Sequence, residues 1–248
     1  MSTDTDILAG RVALVTGGSG GIGVALCRRL AEAGALVAVH YHTDQAAAEH
    51  VADAIEAAGG RAAIFGADLA RPDAAERLVD QVEADLGPVD VLAANAGLSR
   101  PGTYDEVDAA AFDQTLAVNL RAPYLLARRV LPHMREQRFG RILFTSSVAA
   151  LNGGIVGPHY AASKAGLHGL THHLAARVAA DSVTVNAIAP ALITGTDMLP
   201  GEPEELARRI PLHRLGTTEE VAALAMTILA NGYITSKIMT IDGGLYPS

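Results

Sequence analysis

Short apolar runs alternate with longer segments of helical periodicity along all 248 residues of the chain. The apolar runs are rich in Val, Ile, Leu and Ala, which is typical of strands that are buried on both faces. The predicted strands are residues 12–16, 36–39, 62–67, 89–93, 141–146, 182–188 and 238–241. The predicted helices are residues 22–33, 46–58, 74–86, 109–136, 161–180 and 218–229.

This alternation predicts an α/β fold, in which a doubly wound parallel sheet carries helices on both of its faces. No internal repeat or linker interrupts the pattern, so residues 1–248 are predicted to form a single domain. The segment 193–211 is rich in Gly, Pro and Thr and is long for a loop. Loops of this kind often cover a binding site.

Composition narrows the classes of protein that fit this pattern. Acidic residues outnumber basic ones, and a net charge of −8 argues against a nucleic-acid partner. No apolar stretch approaches the roughly 18 residues of a membrane span, so no membrane partner is expected. The single cysteine, Cys27, excludes an internal disulfide and fits a reducing, cytoplasmic location. Residues 1–6 carry no basic segment, so we expect no secretory leader.

A glycine-rich turn follows the first predicted strand and opens the first predicted helix. It reads Thr-Gly-Gly-Ser-Gly-Gly-Ile-Gly over residues 16–23. Gly17 permits a tight turn, Gly21 allows backbone to approach a pyrophosphate, and Gly23 allows helix and strand to pack closely. The amide groups of the helix N-terminus then face the phosphates. The alternative, a flexible loop without a ligand, lacks this strand and helix context.

Tyr160 and Lys164 stand four residues apart in the next-to-last predicted helix, which places them on one helix face. A nearby ammonium favours phenolate, so we expect the pKa of Tyr160 to fall from its usual value. Such a phenol can exchange a proton with an alkoxide. The alternative is a surface lysine near a helix start. However, Lys164 is one of two lysines among 19 basic residues, which indicates that a compact ammonium is needed there.

Two further turns lie at the same predicted edge of the sheet. Ser147 follows the fifth strand, and Asn95-Ala96-Gly97 ends the fourth. Ligands bind beyond the carboxyl ends of parallel strands, where a serine hydroxyl can hydrogen-bond a substrate carbonyl. Each motif alone also fits an ordinary turn.

In this order the motifs resemble the short-chain dehydrogenase/reductase family in its typical-length group. The pattern of that group is a TGxxxGxG turn, an NAG turn, a mid-chain Asn, a Ser and YxxxK. Here these are residues 16–23, residues 95–97, Asn119, Ser147, and Tyr160 with Lys164. Matches at 185–190, 214–216 and 242–244 extend the resemblance over nearly the whole chain. The resemblance implies a Rossmann-like sheet of about seven strands.

The resemblance also implies roles for the site residues. Tyr160 would be the acid or base, and Ser147 would orient the carbonyl. Lys164 would bind the nicotinamide ribose, and Asn119 would hold a water that continues a proton relay. The implied reaction transfers a hydride between a nicotinamide cofactor and a ketone or secondary alcohol.

The implied cofactor site includes an adenine contact at Asp68 and nicotinamide-amide contacts at Ile193 and Thr194. The stretch around Thr194 is one residue longer than the common form, so Thr196 competes with Thr194 for the amide contact. The predicted cofactor-binding residues are Gly17, Ser19, Gly20, Gly21, Ile22, Gly23, Tyr41, His42, Thr43, Asp68, Leu69, Asn95, Ala96, Gly97, Tyr160, Lys164, Pro190, Ile193 and Thr194.

The residues at the end of the second strand predict which cofactor is preferred. An Asp or Glu there would bind ribose hydroxyls and repel a 2′-phosphate. Here the position is Tyr41, followed by His42 and Thr43, which can donate hydrogen bonds to a phosphate. NADP(H) is therefore predicted over NAD(H). Gly20 argues the other way, because many NADP-preferring relatives carry Arg or Lys there.

The closest sub-pattern resembles 3-oxoacyl-acyl-carrier-protein reductases, so a small-molecule or thioester ketone is expected as substrate. Arg138 matches one of their basic carrier-docking positions, but Asp181 stands at the other, which should weaken attraction to an acidic carrier. The alternatives are an NAD-dependent dehydrogenase of a small alcohol, sugar or steroid, and a nucleotide-sensing protein without turnover.

Other polar residues suggest interfaces rather than further chemistry. His168 and His172 are spaced for metal binding, but no acidic partner stands in register, so no metal site is predicted. In this family their helix packs against another subunit, which implies a homotetramer. Arg128-Arg129 and Arg208-Arg209 are interpreted as solvated faces.

Overall fold

The computed structural model describes residues 7–196, 199 and 201–246. Within these residues a seven-stranded parallel sheet runs in the order β3-β2-β1-β4-β5-β6-β7. The expectation of no leader at residues 1–6 lies outside the described residues. The strands are β1 Val12–Thr16, β2 Leu36–Tyr41, β3 Arg61–Gly66, β4 Val89–Ala94, β5 Gly140–Thr145, β6 Val183–Pro190 and β7 Ile238–Ile241.

Helices cover both faces of this sheet. One apolar core contains Leu78, Leu126 and Leu167, and the other contains Leu26 and Val221, from helices on the opposite face. The α/β fold class and the Rossmann-like sheet are therefore confirmed. The helices are α1 Gly21–Glu32, α2 Gln45–Ala57, α3 Ala74–Leu86, α4 Ala109–Leu116, α5 Ala122–Glu136, α6 Ala149–Asn152, α7 Pro158–Val178, α8 Pro203–Arg208 and α9 Thr218–Ala230.

The helix starts show why these segments fold locally as they do. Asp44 caps α2 by accepting a hydrogen bond from the amide of Ala47. Thr217 and Glu220 form a reciprocal capping box at the start of α9. Each cap satisfies amide groups that have no partner within the helix.

The helix predicted over residues 109–136 has these bounds in the structure, but it is not α-helical throughout. The segment divides into α4 and α5, which are joined by a π-helical turn over Ala117–Arg121. The run of helical residues has no break at this turn, so the length of the helical segment does not reveal it. Two short helices inside predicted loops, α6 and α8, were also not predicted, whereas the strands agree to within a few residues.

The sheet order creates a crevice beside β1. The chain builds β1, β2 and β3 outward in one direction and then returns to place β4 on the other side of β1. Loops leaving β1 and β4 therefore diverge at the carboxyl edge of the sheet, where ligands bind in folds of this kind. In the part of the chain that the structure describes, no helix is both long and apolar enough to span a membrane.

Candidate active site

A cavity of about 790 Å³ opens at the carboxyl edge of the sheet. It brings together residues predicted from motifs far apart in the chain. The predicted site residues that line it are Gly17, Ser19, Gly20, Gly21, Ile22, His42, Asp68, Leu69, Asn95, Ala96, Gly97, Ser147, Tyr160, Lys164, Pro190 and Ile193. The predicted site residues that lie outside its lining are Gly23, Tyr41, Thr43, Asn119 and Thr194.

The glycine-rich turn has the shape that a dinucleotide requires. Gly17 has φ +64°, which favours glycine, and a Cβ at Gly23 would overlap the Gly17 carbonyl. Gly20 lines the cavity, and a Cβ there would meet no atom within 4 Å. No side chain among the described residues caps α1, so its N-terminus offers amide groups and positive potential to an anion. These features fit the pyrophosphate of a nicotinamide dinucleotide.

A buried histidine that sequence reasoning missed holds this turn in place. Nδ1 of His40 accepts a hydrogen bond from the amide of Gly17 at 3.0 Å, and its Nε2–H donates to the Ala67 carbonyl at 3.0 Å. Burial lowers the pKa of His40 to about 4, so the ring is neutral at physiological pH. His40 thus joins the phosphate turn to the loop that carries Asp68. Its place at the end of β2, beside Tyr41, was the available signal.

The NAG turn after β4 is tied to the end of β1. The Thr16 hydroxyl accepts hydrogen bonds from the amides of Asn95 and Ala96, both at 3.0 Å. The Asn95 side-chain amide in turn donates to the carbonyls of Thr16 and Gly17. These bonds fix the two edges of the crevice relative to each other.

Ser147, Tyr160 and Lys164 meet on one wall of the cavity. Ser147 follows β5, whereas Tyr160 and Lys164 lie in the first two turns of α7. Tyr160 is 8% exposed and Lys164 is 3% exposed. Lys164 Nζ donates to the Thr145 carbonyl at 2.7 Å and lies 5.6 Å from the centre of the Tyr160 ring. The ammonium retains further N–H donors for a ligand.

The protein groups around Tyr160 do not lower its pKa, although the sequence predicts that they would. Burial raises the pKa of Tyr160, and a hydrogen bond with Ser147 counteracts only part of that rise. Burial also lowers the pKa of Lys164, to about 8. Desolvation disfavours the charged form of each group, so it acts in opposite directions on an acid and a base. Tyr160 is therefore a protonated phenol at neutral pH.

Asn119 lies in the π-helical turn and is fully buried. Its Oδ1 accepts from the Leu98 amide at 2.7 Å, and its Nδ2 donates to the Leu98 carbonyl and to the Ser163 hydroxyl. The side chain therefore joins the loop after β4 to the helix that carries Tyr160. Its predicted part in a water relay remains a prediction.

Three other predicted contacts also lie outside the cavity lining. The Tyr41 hydroxyl donates to Gln45 Oε1 at 3.1 Å, outside the lining, while Thr43 is exposed. Thr194 is exposed and its amide donates to the Gly216 carbonyl at 2.9 Å. Thr196 lines the cavity instead, with its methyl group close to Gly21.

The α7 histidines have specific partners within the chain. The Ser146 hydroxyl donates to the Lys164 carbonyl, so Nε2–H of His168 donates to Ser146 Oγ at 2.8 Å. His172 Nδ1 lies 3.0 Å from the Ser236 hydroxyl. Across residues 7–196, 199 and 201–246, His, Cys, Asp and Glu form no cluster of three or more that could hold a metal ion.

Comparison with known proteins agrees with this geometry. Residues 11–207 match the family model described as short chain dehydrogenase. The chain belongs to the short-chain dehydrogenase family. The predicted family is thereby confirmed, and the chain is an oxidoreductase that uses a nicotinamide cofactor to interconvert a carbonyl and an alcohol.

Two curated members of the family align over nearly their full length. Acetoacetyl-CoA reductase from Allochromatium vinosum is 37% identical over 243 residues, which cover 95% of this chain and 98% of that protein. The 3-oxoacyl-acyl-carrier-protein reductase FabG from Pseudomonas aeruginosa is 35% identical over 247 residues, covering 97% and 99%. A solved structure, a blue fluorescent protein from a metagenomic library in complex with NADPH, has a TM-score of 0.89 and 36% identity, and covers 97% and 99%.

Proposed function

We propose that this short-chain dehydrogenase reduces the 3-oxo group of an acyl thioester with NADPH, and that one domain over residues 1–248 performs both binding and catalysis. The convergence of Ser147, Tyr160 and Lys164 on the cavity that the glycine-rich turn also lines carries the proposal. The thioester class is supported by the two curated relatives, whose names give acetoacetyl-CoA and 3-oxoacyl carrier substrates.

The protein groups supply the proton and stabilise charge on the substrate oxygen. The nicotinamide, when bound, supplies the hydride. The hydroxyls of Ser147 and Tyr160 donate hydrogen bonds to the carbonyl oxygen, where negative charge develops during reduction. Tyr160 then gives up its proton to that oxygen as a general acid. Both groups act from rigid positions, at the end of β5 and in the first turn of α7.

The state of Tyr160 favours reduction near neutral pH. A raised pKa keeps the phenol protonated, and reduction requires the protonated form. Oxidation requires phenolate, so its rate should rise as the pH increases. Lys164 has a pKa of about 8 and is cationic at neutral pH, where its charge stabilises the phenolate left by proton transfer. Its free N–H groups are proposed to bind the nicotinamide ribose.

The preference for NADPH rests on the adenosine end of the cavity. His42 lines this end beside Asp68, with 3.7 Å between His42 Nε2 and an Asp68 oxygen. We assign the 2′-phosphate contact to His42, because Tyr41 lies outside the lining. At the nicotinamide end we assign the carboxamide contact to Thr196 rather than Thr194, because only Thr196 lines the cavity.

The test is oxidation of NADPH by the purified protein in the presence of acetoacetyl-CoA, followed by absorbance. We expect a higher kcat/KM with NADPH than with NADH, and slower reverse oxidation at neutral than at alkaline pH. A tenfold preference for NADH would contradict the cofactor assignment. Turnover of small secondary alcohols without turnover of the thioester would instead favour a dehydrogenase of an alcohol, sugar or steroid.

We further propose that the enzyme is a cytoplasmic homotetramer. Small residues on the outer face of α7, including Ala162, Ala165 and Gly169, are accessible and would allow another helix to approach closely. The residues of β7, at one edge of the sheet, are only half-buried. Sedimentation at micromolar concentration should give the mass of four chains, and a monomer would overturn this assignment.

A further inference from the structure

Two arginines line the cavity at positions with no assigned role. Arg100 follows β4 by six residues, and Arg209 comes directly after α8. Both residues are exposed, so their guanidinium groups are accessible to a ligand. Arg208 and Arg209 are both exposed, in agreement with the sequence interpretation of a solvated face, and Arg209 also lines the cavity.

Arg100 lies on the side of the cavity that holds the proton donor. Its loop is joined to the segment before α7 by a hydrogen bond from the Gly102 amide to the Val156 carbonyl at 2.9 Å. Val156 is buried, packs with Tyr160 and lines the cavity. The guanidinium of Arg100 is thus carried by a loop that borders the reacting centre.

Arg209 lies on a wall built from the end of the chain. The next residue, Ile210, packs against Gly243, and the amide of Leu212 bonds the Gly243 carbonyl. Leu245, from this same C-terminal segment, lines the cavity, as does Leu199 from the segment before α8. Arg209 and Arg100 therefore line the cavity from different segments, and the apolar side chains of Leu199 and Leu245 line it as well.

The charges around the cavity are divided between its ends. Asp68 is the one acidic residue among the described residues that line it, and it lies at the adenosine end beside His42. Arg100 and Arg209 provide positive charge at the other end, although the chain as a whole carries −8. Guanidinium groups bind phosphate well because their planar N–H donors match its oxygens.

We infer that Arg100 and Arg209 form an anion-binding subsite for the phosphate-bearing arm of the thioester substrate. The inference rests on the proposed function and specifies its substrate: apolar walls accept the acyl part, and the two guanidiniums bind the phosphate beyond the sulfur. That chemistry is shared by free coenzyme A and by the phosphopantetheine arm of a carrier protein.

The carrier-docking positions considered from the sequence lie elsewhere in the chain. Arg138 and Asp181 come directly before β5 and β6, at the amino edge of the sheet, opposite the cavity. Asp181 pairs with Arg135 at 2.6 Å, and Arg138 donates to the Ala180 carbonyl. These side chains bond one another's segments on the edge away from the cavity, whereas Arg100 and Arg209 line the cavity itself.

The experiment compares Arg100→Gln, Arg209→Gln and the double variant with the wild-type enzyme. Arg208→Gln is the matched control, since Arg208 is the exposed neighbour that does not line the cavity. The substrates are acetoacetyl-CoA, the acetoacetyl thioester of phosphopantetheine, and the uncharged acetoacetyl thioester of N-acetylcysteamine. NADPH is varied separately so that loss of cofactor affinity is recognised.

We expect the KM for acetoacetyl-CoA to rise about tenfold in the double variant while kcat stays within twofold, because surface charge pairs act mainly on binding. The KM values for the N-acetylcysteamine thioester and for NADPH should stay within twofold, as should all constants of Arg208→Gln. An equal rise with phosphopantetheine thioester assigns the contact to the phosphate that carriers share. A rise with acetoacetyl-CoA alone assigns it to the nucleotide phosphates of free coenzyme A.

An equal rise with the uncharged thioester, or a matching effect of Arg208→Gln, would overturn the anion subsite. Binding of coenzyme A itself, measured by calorimetry, separates this result from failure of the proposed function. If the wild-type enzyme reduces no thioester but the double variant binds coenzyme A about tenfold more weakly, the subsite stands and the proposed reaction is wrong. Unchanged binding of coenzyme A would refute the subsite.

Discussion

The two ends of the cavity differ in the kinds of residue that form them. At the cofactor end, buried polar contacts and glycine backbone fix the geometry, as in the bonds from Gly17 to His40 and from Asn95 to Thr16. At the proposed substrate end, the exposed residues Arg100 and Arg209 line the cavity from the loop after β4 and from the residue that follows α8. The cofactor end therefore tolerates little change in shape, whereas the substrate end can change charge without disturbing the sheet.

Ser147, Tyr160 and Lys164 lie where these two ends meet. They belong structurally to the rigid end, because Lys164 bonds the carbonyl of Thr145 at the end of β5. In the proposed mechanism, however, they act on the substrate that binds at the other end. The proposed reaction type thus depends on buried groups, and the proposed choice of substrate depends on exposed ones.

Replacement of Tyr160 should have the largest effect on turnover. Tyr160→Phe removes the proton donor and should lower kcat by about 10²-fold or more, while the dissociation constant for NADPH changes little. Stopped-flow rates and fluorescence titration measure the two quantities. Tyr233→Phe is the control, because Tyr233 is 98% exposed. Activity of Tyr160→Phe within twofold of wild type would contradict the role of the phenol.

Two glycines of one turn test the rigidity of the cofactor end. Gly23→Ala places a methyl group against the Gly17 carbonyl and should destabilise the protein by about 1–3 kcal/mol, with weaker NADPH binding. Gly20→Ala meets no atom within 4 Å, so the free protein should keep its Tm. Thermal unfolding and cofactor titration check both variants. Equal losses of Tm in the two variants would show that the turn is not sterically selective.

Cofactor preference should respond to His42 more than to Tyr41. His42→Asp places a carboxylate where the 2′-phosphate is proposed to bind, so relative kcat/KM for NADPH over NADH should fall about tenfold or more. Tyr41→Phe removes only the hydroxyl that bonds Gln45 and should leave the ratio within twofold. If the Tyr41 variant shifts the ratio and the His42 variant does not, the contact belongs to Tyr41.

The smallest predicted effect is a loss of stability in mild acid. The pKa of His40 is about 4 in the folded protein, below its ordinary value, so unfolded chains bind more protons between these two pH values. The stabilising contribution is complete above the ordinary pKa and declines as the pH falls. From pH 7 to 5.5 the loss should be about 1 kcal/mol, because a pKa shift of one unit corresponds to ~1.4 kcal/mol.

His40→Asn keeps an acceptor for the Gly17 amide but does not titrate in this range. Urea unfolding at several pH values should therefore show a flatter profile for the variant than for the wild type. Parallel profiles would mean that the acid dependence arises elsewhere, for example at the half-buried His168, whose pKa is also lowered by burial.

The fold and the rigid end of the site could be predicted because they depend on local, periodic signals. A buried strand such as β4 and a turn such as residues 16–23 can each be recognised from a few consecutive residues. The alternation along β2 could also have shown that His40 and His42 share a face opposite to Tyr41, since side chains alternate along a strand.

The rest depends on contacts between distant segments. Thr194 and Thr196 differ in position because Ile193 pairs with Gly216, more than twenty residues later in the chain. Arg209 lines the cavity because it follows α8 at the point where Ile210 packs on Gly243 of the C-terminal segment, and α8 is too short to give a clear helical period. Charge and composition alone could not separate Arg208 from its neighbour.

The π-helical turn over Ala117–Arg121 divides one helical run into two parts with different packing partners. Each residue turns an α-helix by about 100° at 3.6 residues per turn, so one extra residue in a turn changes the phase of everything that follows. Here α4 packs on α7, while α5 packs on α3 and β4. Deletion of one residue from this turn would preserve the reading frame of the gene, but it would rotate the side chains of α5 relative to those of α4. The number of residues in this segment is therefore constrained more tightly than its composition.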